Sequence, residues 1–218
     1  MNQLKAMTRI QWKGSWHLAL ALSVAAFALP IVSIRSGWKG AAANLPLFLT
    51  ELQLWGFFYP TLAVVAAIVV AVSIWRSDRR GHHIYALLLP IPRWKYVLLR
   101  YAGGLAILAP IVLALWAGAI VATMSLDLPP GLRTFPHALA IKFALSLMLL
   151  FGLAFAAASA SSRALSIGFK LVGLFIAVHL AVILLRPGTN LIWKVVSALA
   201  TYPGPFAPMG GRWMLIDV

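Results

Sequence analysis

Long apolar runs alternate with short polar and basic segments along the whole chain. A helix needs roughly 20 apolar residues to cross the hydrocarbon core of a bilayer. Five runs meet that length, at about residues 16–34, 53–75, 101–124, 136–160 and 165–185. The pattern predicts an all-α, polytopic membrane protein, folded as a single transmembrane domain over residues 1–218.

A sixth apolar window, Leu191–Ala200, is too short to cross alone and would give a sixth span only if it were extended. It runs into TYPGPFAPMGG, where three Pro and three Gly stop a helix. Residues 186–218 are therefore predicted to be an outer loop with a short helix.

The first 15 residues are too polar to insert, yet they place apolar side chains along a rough stripe and a basic residue at every fourth position from Lys5 to Lys13. This pattern favours an amphipathic helix lying in the membrane interface ahead of the first span. The alternative is a simple positive flank of that span.

The composition of the chain excludes a soluble globular fold. Apolar residues make up 62% of the chain and charged residues 10%, against about 45–50% and ~25% in soluble domains. The 18 Lys and Arg outnumber the 4 Asp and Glu. In so apolar a chain, these cations orient loops and meet anionic lipid headgroups, and no nucleic-acid partner is expected.

Basic residues also predict the orientation. Six lie between the second and third spans: Arg76, Arg79, Arg80, Arg93, Lys95 and Arg100. Cytoplasmic loops carry the excess of Lys and Arg. We therefore expect a bacterial inner-membrane protein with a cytoplasmic N-terminus and, after five spans, a C-terminus on the outer side.

The segment of residues 76–100 is far longer than a connection between two spans requires. Ile84, Leu87 and Leu88 have the i, i+3, i+4 spacing of a short amphipathic helix, which Pro90 and Pro92 must end. Residues 93–100 then begin a helix leading into the third span. Such a protrusion suits a cytoplasmic partner; the alternative is an amphipathic loop resting on lipid.

This segment resembles the signature of type-2 ABC-exporter permeases. The matching features are an acidic residue, a glycine and an apolar run that ends in Leu-Pro-x-x-Arg. They correspond here to Asp78, Gly81, residues 87–89, Pro90 and Arg93. In that family the segment is a coupling helix seated in a cleft of the ATPase subunit. The resemblance implies a docking set of Asp78, Arg79, Gly81, Ile84, Leu87, Leu88, Pro90 and Arg93.

The same resemblance implies a permease subunit that is not itself an enzyme. ATP and Mg would be bound by a separate ATPase, and a second copy or second permease subunit would complete the transporter. Two features depart from the family pattern: its usual sixth span does not occur within residues 1–218, and its common Gly-Thr pair is Gly81-His82.

Other chemistry is missing from the sequence. It has no P-loop, no H-E-x-x-H, no G-x-S-x-G and no cysteine. All four carboxylates fall in predicted loops or interfaces, so no acidic pair is expected within the membrane. A subunit that only assembles a larger membrane complex is therefore the alternative to a permease, and no cofactor or metal is expected on this chain.

Four polar residues inside the predicted spans remain to be assigned. Lys142 and Lys170 can extend their ammonium groups toward the membrane surface, or they can line a path for an anionic substrate. His137 and His179 can act as interhelical hydrogen-bonding groups, or they can form a bis-His cofactor site of an electron-transfer subunit.

Overall fold

The computed structural model describes residues 3–41, 45–80, 92–124, 132–160, 166–167, 170–171, 173–179, 191–201, 203–213 and 215–217. Its elements follow in chain order, and most are helical. They are α1 (Gln3–Ala41), α2 (Leu45–Trp55), α3 (Phe58–Arg80), α4 (Arg93–Met124), β1 (Arg133–Thr134), α5 (Pro136–Ser159), α6 (Leu191–Ala200), a 3₁₀ turn (Ala207–Met209) and β2 (Ile216–Asp217).

Four stretches are long and apolar enough to cross a membrane, which confirms a helical, polytopic membrane protein. They are Gln11–Ser36, Thr50–Arg76, Arg93–Met124 and Pro136–Ser159. Large apolar side chains are exposed along them, including Leu20, Leu113 and Ile141. Such faces suit contact with lipid. About half of the predicted fifth span is described: residues 166–167, 170–171 and 173–179 are helical, and the others of residues 165–185 lie outside the described residues.

The four long helices alternate in direction. Gln11 and Phe27 of α1 face residues 103 and 118 of α4, so these two helices run parallel. A Ser33–Tyr59 contact places the end of α1 beside the start of α3. Phe151 of α5 stacks on Tyr101 near the start of α4, at 5.3 Å between ring centroids. Helices α3 and α5 are therefore antiparallel to α1 and α4, as consecutive spans require.

Close approach of α1 and α4 depends on glycine. A Cβ at Gly118 would clash with the carbonyl group of Phe27, and one at Gly103 with the side-chain amide of Gln11. Gly104 is equally enclosed by Phe151. Small residues of this kind let helix backbones pack tightly in lipid, where burial of apolar surface does not drive association.

The N-terminal segment differs from the prediction of a separate interfacial helix over residues 1–15. Helix α1 is continuous from Gln3 to Ala41 and leads directly into the first span. Gln11 and Ser15 are buried, and Gln11 hydrogen-bonds to α4. One face of the segment therefore packs on protein. The residue that Gln11 contacts, Arg100, is about 90 residues away in sequence, so the local pattern of residues 1–15 does not reveal this contact.

The second span also differs from prediction at its start. The expected continuous helix from residue 53 is interrupted at Gly56 and Phe57, which separate α2 from α3. Pro60 explains the position of this break, because a proline lacks the N–H that would bond the carbonyl four residues earlier and its ring crowds that carbonyl. Gly56 is also required there, since its Cβ would lie 2.8 Å from the Trp213 carbonyl oxygen.

Residues 212–217, here called the tail, add a small β element to the expected all-α fold. Strand β2 pairs antiparallel with β1, with Arg133 opposite Asp217 and Thr134 opposite Ile216. The Phe135 amide donates to the Leu215 carbonyl at 2.9 Å. The tail is thereby held beside the start of α5.

The helices and loops form two compact units, residues 1–155 with 212–218, and residues 156–211. Within the second unit, α6 has the bounds predicted for the short helix, Leu191–Ala200. The chain then folds back on it, because the Phe206 amide donates to the Leu199 carbonyl at 2.9 Å. Gly204 and Gly210 lie against the backbone carbonyls at the end of α6, where a Cβ would clash.

Candidate functional site

A buried cluster around Arg100 joins α1, α3 and α4 at the end of the bundle where α3 finishes and α4 begins. The Arg100 Nε donates to the Tyr96 hydroxyl at 2.9 Å, and its Nη1 donates to the Ile74 carbonyl. Its guanidinium carbon lies 5.7 Å from the Trp75 ring centroid and 5.2 Å from that of Tyr96. The Gln11 Nε2 donates to the Arg100 carbonyl at 3.4 Å.

These contacts offset the cost of burying the charged residue Arg100, which is only 7% exposed. A buried charge is tolerated when its donors are used and its surroundings are polarisable. Tyr96 and Arg100 are four residues apart, the spacing that places side chains on one helix face. Gln11 Oε1 and Trp75 Nε1, in the same cluster, are buried and have no hydrogen-bond partner among the residues that the structure describes.

The cluster fixes the two helices that enter and leave residues 81–91. Helix α3 continues to Arg80 and α4 starts at Arg93, and Arg100 ties the last turns of the first to the first turns of the second. Helix α4, with 32 residues, is about 48 Å long and exceeds the ~30 Å hydrocarbon core. The two helix ends within residues 76–100 are therefore anchored to the rest of the bundle.

Most of the predicted docking set lies outside the described residues. Gly81, Ile84, Leu87, Leu88 and Pro90 all belong to the segment of residues 81–91. Asp78 and Arg79 lie in the last turn of α3, and the structure describes their backbone alone. Arg93 is the first residue of α4 and is exposed, which confirms the helix predicted to begin there.

The sequence analysis counts Arg100 among the basic residues between the second and third spans. The structure adds that the Arg100 side chain is buried among three helices. The available signals were the polar pair Gln11 and Ser15 on α1 and the Tyr96–Arg100 spacing on α4. Neither pattern shows, from the sequence alone, that Gln11 and Arg100 are in contact.

Lys142 lies at the opposite end of the bundle and is engaged by the tail. Its Nζ donates to the Arg212 carbonyl at 2.8 Å and lies 4.8 Å from the Trp213 ring centroid. Trp213 is buried and stacks on Tyr59 at 6.5 Å between centroids, and the Tyr59 hydroxyl lies 3.3 Å from the Ser33 Oγ. Lys142 thus anchors the tail.

Replacing Lys142 with methionine is expected to loosen the tail and lower the free energy of unfolding by about 1.5 kcal/mol. The change removes one charge-assisted hydrogen bond and one cation–π contact while keeping the aliphatic length. Limited proteolysis of the tail and unfolding in detergent measure the two effects. Lys170→Met is the matched control, because Lys170 is exposed; equal effects from both substitutions would contradict the anchoring role.

The two histidines have different surroundings. His137 is exposed, and its Nδ1 accepts a hydrogen bond from the Trp116 Nε1 at 3.0 Å. His179 is buried in the second unit, and its Nδ1 has no hydrogen-bond partner in the described part of that unit. His137 thus has the interhelical hydrogen bond expected of it. Within the described part of the chain, no three His, Cys, Asp or Glu residues converge as a metal site would need.

No protein-family model, curated protein or solved structure matches the chain. What it does is therefore inferred from its own residues.

Proposed function

We propose that this chain is the membrane permease subunit of an ATP-driven, ABC-type exporter, and that residues 76–100 dock a separate cytoplasmic ATPase subunit. The observation that supports this proposal is the Arg100 cluster. It ties together the helices on either side of the docking segment, α3 and α4, and connects them to α1. A segment that only rested on lipid would not need its flanking helices to be held together in this way.

Coupling requires that a displacement of the docked segment reach the spans. Interhelical contacts around Arg100 and the tight backbone packing of α1 on α4 at Gly118 join three helices into one body. Closely packed helices transmit a shift because their interfaces do not deform continuously. Movement of residues 81–91 would therefore displace α1, α3 and α4 together.

The proposal also specifies the other subunits of the transporter and the membrane in which it lies. ATP and Mg bind the partner subunit, and a second copy or a second permease subunit completes the transporter. The chain lies in a bacterial inner membrane with its N-terminus and residues 76–100 in the cytoplasm, because those segments are the most basic. The proposal also keeps the fifth span expected from the sequence over residues 165–185, which would bring the tail to the outer side.

A structural or assembly subunit without transport activity is the second candidate. One observation favours it: the Lys142 ammonium group is engaged with the tail, through the Arg212 carbonyl and the Trp213 ring. A permease must release or bypass this contact, whereas an assembly subunit can keep it permanently. The two candidates differ in whether an ATPase binds.

Docking is expected to depend on apolar side chains more than on charge. In helix-in-groove binding, a few apolar anchors supply most of the affinity, and charges at the rim mainly steer association. Substituting Leu87 and Leu88 together with alanine should weaken partner binding by about 2 kcal/mol or more. Substituting Arg79 and Arg80 with glutamine should have a smaller effect, chiefly at low salt.

The measurement is co-purification from native membranes, with nucleotide hydrolysis assayed in the eluate. The unmodified chain should retain a stoichiometric ATPase, L87A/L88A should lose it, and R79Q/R80Q should keep most of it. Membrane insertion of each variant serves as the control. Retention of the partner by L87A/L88A, or no hydrolase with the unmodified chain, would favour the assembly subunit.

A further inference from the structure

A lateral groove opens between α1 and α4 at the end of the bundle that carries the N-terminus. Its volume is about 250 Å³. It is lined by Trp12, Trp16, Ala19, Leu20, Ser23 and Pro110. This volume is below the ~300–1,000 Å³ of pockets that enclose a drug-sized ligand. The groove therefore suits a narrow apolar chain that enters from the side.

The groove has the depth of one bilayer leaflet. From Trp12 to Ser23, α1 advances 11 residues, or about 17 Å at 1.5 Å per residue. Half of the ~30 Å hydrocarbon core is about 15 Å. Pro110 is near the middle of the 32-residue helix α4. The groove thus extends from the membrane surface, where Trp side chains are favoured, to about the midplane.

Two exposed cations lie beside the end of the groove that is nearest the N-terminus. Arg9 and Lys13 each precede a groove tryptophan by three residues, the spacing at which helix side chains are neighbours. Neither has an ion pair or hydrogen bond with any residue that the structure describes. Positive charge at the mouth and apolar surface below it match the two ends of an anionic phospholipid.

We propose that this groove binds an anionic phospholipid, with one acyl chain along Trp12, Trp16 and Leu20 and the headgroup phosphate between Arg9 and Lys13. The lipid comes from the leaflet at the N-terminal end of α1, the cytoplasmic leaflet in the proposed orientation. The site does not depend on an ATPase partner, so it can be tested whether or not the permease function holds.

The test uses the purified full chain in phosphatidylcholine vesicles that contain a small fraction of phosphatidylglycerol with a photoreactive diazirine in its acyl chain. After irradiation, peptide mass spectrometry maps the adducts. We expect adducts concentrated on residues 12–23. A phosphatidylcholine probe with the same acyl chain should label them about thirtyfold less, since each of the two cations near the surface is worth about 1 kcal/mol toward an anionic headgroup.

Matched variants separate a site from general surface charge. R9Q/K13Q should reduce phosphatidylglycerol adducts about thirtyfold. R93Q/K95Q removes the same charge from exposed positions on α4 that do not line the groove, and it should change the adducts little. R9K/K13R keeps the charge and should keep the labelling. Ser23→Phe fills the groove with the cations intact and should remove the adducts from residues 12–23.

Three results would overturn the proposal. The first is equal labelling by the two lipid probes, which would make the headgroup charge irrelevant. The second is an equal loss in R9Q/K13Q and R93Q/K95Q, which would reduce the effect to net surface charge. The third is adducts spread evenly over the exposed faces of the spans, with no change in Ser23→Phe.

Discussion

Replacing Arg100 with alanine is expected to lower the free energy of unfolding by about 3 kcal/mol. The substitution removes charge-assisted hydrogen bonds to the Tyr96 hydroxyl and the Ile74 carbonyl, and such bonds contribute about 1.5–3 kcal/mol each. It also removes two cation–π contacts and leaves a cavity among three helices. Equilibrium unfolding in mixed detergent micelles measures the change.

Arg93→Ala is the control for this prediction. Arg93 is an exposed arginine seven residues earlier on the same helix, so its loss should change stability by no more than about 0.5 kcal/mol. A third variant, Arg100→Lys, keeps the charge but loses the planar set of donors, and should be intermediate. If Arg100→Ala were as stable as Arg93→Ala, Arg100 would not be the residue that holds α1, α3 and α4 together.

Replacing Gly118 with valine should destabilise the bundle by about 3 kcal/mol, the upper end of the usual range for overpacking. The new side chain would meet the backbone carbonyl of Phe27, which cannot rotate aside as a flexible side chain could. Helices α1 and α4 would have to separate at a point where their backbones now lie in direct contact. The same micelle unfolding assay measures the loss.

Gly14→Val tests the same chemical change where there is room for it. Gly14 has no neighbouring atom within 4 Å of an added Cβ, so this variant should differ from the unmodified chain by about 0.5 kcal/mol at most. The comparison removes the effect of helix propensity, because both positions are inside long helices. Similar losses in both variants would show that the α1–α4 contact does not require glycine.

Most of the fold followed from the apolar pattern, because a membrane span is a local property of about 20 residues. Four of the five predicted spans correspond to helices that are long and apolar enough to cross a membrane, and α6 has its predicted bounds. The structure differs from the prediction where contacts with residues distant in sequence are involved. The N-terminal segment joins the first span because Gln11 packs on α4, and the tail forms a strand because β1 lies beside it.

The candidate site was less predictable than the fold. The sequence marks residues 76–100 as unusual, since their length, charge and prolines are all local features. Arg100 looked like one more loop cation because a cation near the end of a span can either face water or be buried. Only its contacts with Ile74 and Trp75 distinguish the two. The sequence likewise leaves the role of Lys142 open, and its contact with Trp213 is visible only in the structure.

The most direct test of the proposed function is site-specific photocrosslinking in intact native cells. A photoreactive amino acid at position 87 should form a crosslink to a cytoplasmic nucleotide-hydrolysing protein, because Leu87 is a proposed anchor of the docked helix. The same probe at Lys194, an exposed position of α6 expected on the outer side, should form none. The account predicts an ATPase crosslinked from position 87 alone; crosslinks from position 87 to lipid only, or to the same proteins as from position 194, would contradict it.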